Sequence, residues 1–162
     1  MVTKTDLLSA FPETVYSGPG SLGRFLDQFG RPSAPDPLDA VKGWPDLTVE
    51  LMHDGPRGGV GGYLIMMPDR MWHHFLPAWM LAVGALASGG LTALGTTLVP
   101  ELFNAAFDGM DIRARLSLLD PIQVGVIRRF GGALAADREV ISMSGYDIGS
   151  GIVASMNDLQ RA

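Results

Sequence analysis

Five acid–base side chains stand out by type and spacing. His53 is followed by Asp54, with Glu50 one helical turn earlier, and His73 and His74 are adjacent. A carboxylate beside an imidazole is the usual equipment for proton transfer, and grouped imidazoles and carboxylates bind metals. The first cluster sits at the edge of a Pro/Gly-rich stretch, where a polar loop is the simpler reading. On a helix, neighbouring residues point about 100° apart, so His73 and His74 cannot hold one metal from one face. No metal and no cofactor is implied. Arg70, His73 and Pro77 fall on the face opposite Trp72 and Trp79, which the spacing predicts to be solvated or to meet a partner. Trp44, followed by Pro45 in irregular chain, is the candidate exposed aromatic anchor. The expected partner-contacting residues are therefore Trp44, Arg70, His73 and His74.

Other motifs carry less. Gly18-Pro19-Gly20-Ser21-Leu22-Gly23 spells a dinucleotide-binding fingerprint, but that chemistry needs a buried strand before it and a long helix after it. A turn leading into a Ser21-capped helix fits better. The glycines at 58–62 and 149–151 lack the Gly-Lys-Ser/Thr ending of a phosphate loop. No serine-nucleophile elbow and no zinc-protease motif occurs. The absence of cysteine removes thiolate chemistry and disulfides.

The elements that must position these residues read as mainly helical. A chain of 162 residues is long enough for one domain with a real core. A short helix is expected over 4–11, ended by Pro12. A second runs from Ser21 to Phe29, with Leu22, Phe25, Leu26 and Phe29 inward and Gly30 at its end. Residues 31–62 form a long irregular region with short helices expected at 37–42 and 46–52. Such a stretch in a compact domain has either a function or mobility. Asp69 is the expected cap of a helix whose stripe is Trp72, Phe75, Leu76, Trp79, Val83 and Leu86. Pro77 either kinks it or starts it anew. A further helix is expected from Thr97 to Gly109. Asp120-Pro121 then opens a helix with Ile122, Val126, Ile127 and Phe130 on one face, weakened or ended at Gly131-Gly132. Residues 138–162 read as a C-terminal extension with a short strand at 139–143 and a final helix at 151–160.

The 75–100 run contains no charge and is long enough to span a bilayer. Pro77, the Ser88-Gly89-Gly90 break, Gly95 and Thr96-Thr97 divide it into shorter helices, so no transmembrane segment is expected. The residues preceding Pro12 lack the apolar core of a signal peptide, and a cytoplasmic location follows as the default. The net charge of −5 argues against nucleic acid, whose phosphates need clustered cations. Charged residues are only 18% of the chain, which leaves room for a buried partner face or a homo-oligomer.

Two segments together resemble an uncharacterised family of small bacterial domains. One is residues 66–81, with a proline-led helix start and Phe75-Leu76-Pro77-Ala78. The other is residues 118–130, where Leu119-Asp120-Pro121-Ile122-Gln123 is similar to the family's closing helix. Trp44-Pro45 stands where that family carries a tryptophan. The resemblance covers roughly 5–135 and implies neither an activity nor catalytic residues. The sequence differs from the family pattern in the Gly-rich 84–95 stretch and in its C-terminal tail.

Composition, acidity and the lack of a catalytic constellation point to a cytosolic protein-binding module, with an immunity or antitoxin-like protein as its specific form and a toxin as its partner. A small enzyme or ligand-binding protein, using a pocket near His53/Asp54 and His73/His74, is the alternative. Peripheral membrane attachment through 75–100 is the third reading.

Overall fold

The computed structural model describes residues 2–30, 36–54, 61–88, 115–138, 141 and 147–160. All regular structure among them is helical, so the fold is mainly α as expected. The expected helix from Thr97 to Gly109 and the strand at 139–143, apart from Ile141, lie outside the described residues.

Helix α1 (Lys4–Ala10) begins where Thr3 Oγ1 accepts from the Asp6 N–H at 3.2 Å while Asp6 Oδ2 accepts from the Thr3 N–H at 2.9 Å. This reciprocal cap satisfies two otherwise orphaned donors. Leu7 and Ala10 are its buried residues.

Ser21 caps α2 (Leu22–Leu26) by accepting from the Arg24 N–H at 3.2 Å. The helix is shorter than expected because it tightens into a 3-10 turn at Asp27–Phe29 and stops at Gly30, whose φ of 112° favours glycine. The glycine motif serves this turn. Residues 14–20 before it contain no strand, and Gly20 takes φ 82°. A Cβ on Gly23 would fall 2.6 Å from Asp39 Oδ1, so its bare backbone lets α2 sit on the 3-10 turn Pro37–Ala40.

The described part of the irregular region is more ordered than its prolines suggest. It contains that turn, a second at Trp44–Asp46 and helix α3 (Val49–Asp54). Leu38, Val41, Trp44, Leu47 and Met52 all enter the core. Proline here fits the first positions of tight turns, where its missing N–H costs nothing.

A 3-10 turn at Gly61–Met66 leads into α4 (Asp69–Ser88), the central helix. The cap position falls one residue earlier than expected, since the Trp72 N–H is accepted by Pro68 O at 2.9 Å. Asp69 is the first helical residue and instead accepts from Arg115 Nε at 3.0 Å. Arg115 also donates to Met67 O at 2.8 Å and lies 5.9 Å over the Trp72 ring. Pro77 stays inside one continuous helix. Burial extends beyond the expected stripe to Met71, His74, Pro77, Ala78, Met80 and Ala82. A helix apolar on nearly all sides belongs in the middle of a fold, and its neighbours hold it helical through the proline.

Asp120 caps α5 (Pro121–Ala135) by accepting from the Ile122 and Gln123 N–H groups at 2.8 and 2.9 Å. Gly131-Gly132 neither ends nor interrupts this helix. Their place is explained by α6 (Ile148–Leu159), which starts three residues before the expected 151. A Cβ on Gly131 would lie 2.8 Å from Ile152 Cβ, and one on Gly149 would lie 2.2 Å from Ala135 N and 2.4 Å from Gly131 O. The two helices touch backbone to backbone, and only glycine allows that approach. Ile148, Ile152 and Met156 line the buried side of α6 against Phe130 and Leu134.

Among the described residues no helix is long and apolar enough to cross a membrane. The second half of the uncharged 75–100 run lies outside them.

Candidate functional site

Of the expected site residues, the fold brings Trp44 and His74 into contact in the interior and leaves Arg70 at the surface. Trp44 is 1% exposed, which corrects its reading as an exposed anchor. Its indole Nε1–H donates to Phe11 O at 3.3 Å, and its backbone N–H donates to His74 Nε2, also at 3.3 Å. The ring is enclosed because the 3-10 turn aims it inward between α1 and α4, where it buries a large apolar area.

His73 and His74 serve different neighbours. His73 Nε2 lies 2.9 Å from Gln123 Oε1 on α5. That oxygen also accepts from the Asp120 N–H at 3.1 Å, while Gln123 Nε2 donates to Ala10 O at 3.2 Å. The amide orientation follows, and it makes His73 Nε2 the donor. His74 is buried at 6% exposure and acts as an acceptor. It lies edge-on to Phe75 at 4.9 Å between ring centres and 5.3 Å from Tyr16. Burial lowers its pKa below the ordinary 6.5; the Glu13 carboxylate opposes that shift and the neighbouring His73 adds to it. The solvated face expected of Arg70, His73 and Pro77 is likewise corrected. Pro77 is buried and His73 half-buried, leaving Arg70 as the exposed member. Arg70 is close enough to Tyr16 to offset part of the upward shift that burial imposes on the phenol.

A shared pocket of His53, Asp54, His73 and His74 is not built by these contacts. His73 and His74 are committed to Gln123 and Trp44. Residues 53 and 54 are helical in α3, and their side chains lie outside the described residues. No group of three or more histidine and carboxylate side chains among the described residues could hold a metal ion.

A cleft among the described residues lies elsewhere. It measures about 400 Å³ and is lined by Pro19, Ser21, Arg24, Phe25, Pro68 and Met71, among others. Its lining is mixed: Pro19, Phe25, Pro68 and Met71 are apolar, and Ser21, Arg24 and Gln28 are polar. Phe25 continues this cleft into an aromatic edge. Phe25 meets Phe29 edge-on at 5.6 Å, and Phe29 meets Tyr63 at 4.7 Å. Met66 is three residues beyond Tyr63 in a 3-10 turn, where such pairs share a face. Phe29 is 42% and Met66 49% exposed. Sequence periodicity placed Phe29 in the core. Its spacing is right, but the helix ends one residue later, and with Phe25 and Tyr63 beside it the ring stays 42% exposed. Only the structure brings residues 25–29 and 63–66 together.

Comparison of the chain with family models, curated proteins and solved structures gives no match.

Proposed function

We propose that this protein is a protein-binding module whose contact surface is the aromatic edge of Phe29, Tyr63 and Met66, continued through Phe25 into the Arg24 cleft. The single observation that carries this reading is the contiguity of the exposed Phe29 ring and Met66 with half-buried Tyr63 and Phe25 and with a cleft lined by apolar side chains and Arg24. Aromatic side chains and Arg dominate the energetics of protein interfaces. Isolated exposed apolar residues need no explanation, whereas stacked ones beside a cavity do. The partner that fits presents an apolar side chain to the cleft and a carboxylate to Arg24. In its narrower form the module is a cytosolic immunity or antitoxin-like protein and the partner is a toxin. The enzyme reading loses support because His73 and His74 are engaged in internal hydrogen bonds.

The test is a photocrosslinking amino acid placed at position 29 and, separately, at Ile122, a still more exposed apolar residue at the start of α5. A partner captured from position 29, absent from position 122 and lost with Arg24→Glu is the expected result. Equal capture at both positions, or none at 29, contradicts the reading. For the narrower form, the partner is a toxin encoded beside this gene. Unchanged growth after deleting this gene next to an intact, active toxin contradicts it.

A further inference from the structure

We propose that His74 is an acid-sensitive latch: neutral, its Nε2 holds the Trp44 N–H and with it the 42–46 turn and the segment from Phe11 to Tyr16; protonated, it releases both and turns to Glu13. This device is independent of the aromatic contact surface.

The geometry fixes the protonation state. His74 Nε2 accepts from the Trp44 N–H at 3.3 Å, so Nδ1 carries the ring's proton. An imidazolium is a donor at both nitrogens and has no acceptor, so one proton converts the hydrogen bond into two opposed N–H groups. Three segments meet at this point. A Cβ on Gly43 would lie 1.8 Å from Thr14 O and 3.1 Å from His74 Nε2. The Tyr16 N–H donates to Lys42 O at 2.8 Å, and Trp44 Nε1–H donates to Phe11 O. The 11–16 segment and the 42–46 turn are thus hydrogen-bonded to each other, and His74 is the side chain of α4 that fastens them as a unit.

The surroundings supply both states. Glu13 and Tyr16 approach from the first segment, Lys42 and Asp46 belong to the turn, and His73 and Arg70 lie on α4. Asp46 is occupied within its own turn, accepting from the Lys42 and Gly43 N–H groups at 3.0 and 3.3 Å. Glu13 is the carboxylate whose charge favours the protonated ring. Its Oε1 accepts from Ser17 Oγ at 2.8 Å, which leaves the second oxygen for an imidazolium. Burial and His73 hold the ring neutral at neutral pH, so proton uptake begins below the ordinary histidine range. A buried neutral acceptor with a carboxylate ready for its charged form is the composition of a pH switch.

Amide hydrogen exchange of the full chain between about pH 7.5 and pH 5, corrected for intrinsic rates, tests this across the range where histidine titrates. The expected result is loss of protection at the Trp44 and Tyr16 amides by up to about tenfold per pH unit as pH falls from the ordinary 6.5 towards the folded-state value of His74, the slope for release coupled to one proton. Amides in the middle of α5, which open only with the whole fold, stay better protected than these two at every pH. His74→Gln, whose Oε1 reaches the place of Nε2 and accepts without titrating, abolishes the pH dependence. Glu13→Gln in the otherwise native chain moves the transition to lower pH, a readout that does not require the His74 variant to fold. Protection at Trp44 and Tyr16 that is constant with pH, or never lower than that of α5, or still pH-dependent in His74→Gln, overturns the proposal.

Discussion

The junction between the 11–46 region and α4 and the junction between α5 and α6 are held by different chemistry. At the first, side chains with polar ends reach over distance. Trp44 spans to Phe11, His74 to Trp44, and His73 through Gln123 to Ala10. At the second, no side chain intervenes between backbones, and Gly131 and Gly149 define the approach while Phe130, Leu134, Ile152 and Met156 fill the flanks. Hydrogen-bonded junctions depend on protonation and on the presence of every partner. A glycine-mediated junction depends on volume and is indifferent to pH. The two ends of this small fold should therefore fail under different insults.

The largest effect is expected at the polar junction. Trp44→Ala removes a fully buried ring and leaves Phe11 O without its indole donor, a loss of about 3–5 kcal/mol by the range for such truncations. Denaturant unfolding reads it directly, and a loss under about 1 kcal/mol would show the site to be less tightly packed than its burial implies.

Gly149→Ala comes next. Its Cβ would press on backbone at Ala135 and Gly131, which cannot rotate away, so a loss of about 1–3 kcal/mol or more is expected. Gly151→Ala, on the same helix with nothing within 4 Å of its Cβ, should instead be neutral or gain up to about 1 kcal/mol. Equal responses at the two positions would remove the steric argument.

Gln123→Leu should cost about 1–3 kcal/mol because Ala10 O, the Asp120 N–H and His73 each lose a partner. Asp120→Ala, which removes a helix cap at the same place, should cost about 0.5–2 kcal/mol. Thermal unfolding of both single variants and the double variant would show non-additive losses, since Gln123 and Asp120 share one network.

Phe29→Ser should have the smallest effect on stability, within about 0.5 kcal/mol, because the ring is already substantially exposed. The same substitution should abolish capture of the partner. A clear loss of stability with binding intact would place Phe29 in the fold's scaffold.

Much of the local structure was legible in the sequence because it rests on neighbours. Ser21 to Arg24 and Asp120 to Gln123 are three residues apart, and the apolar stripe of α4 is a matter of period. What was hidden rests on partners far along the chain: Trp44 and His74 are 30 residues apart, His73 and Gln123 50, and Gln123 and Ala10 113. Trp44 beside a proline reads as an exposed loop residue until α1 and α4 are seen closing over it. Gly131-Gly132 carries two meanings, helix end or close approach, and only the position of Gly149 chooses between them. The aromatic edge was hidden for the same reason, since Phe29 and Tyr63 become neighbours only through the fold.

The contrast between the junctions is tested most directly by unfolding free energy at about pH 7.5 and pH 5.5 for wild type, His74→Gln and Gly149→Ala. Burial depresses the His74 pKa in the folded state, so the unfolded chain binds more protons below 6.5. Stability is therefore fully present above that pH and declines as pH falls towards the folded-state value. Asp6 and Asp147, whose pKa values are lowered chiefly by hydrogen bonds from Thr3 and Ser150, act only near and below their ordinary 3.8 and stay out of this window. The wild type should lose stability at the lower pH. His74→Gln should lose much less, and Gly149→Ala should start lower yet fall by the same increment as wild type. A His74→Gln protein that keeps the full pH dependence, or a Gly149→Ala protein that loses it, would contradict this division between a polar and a steric junction.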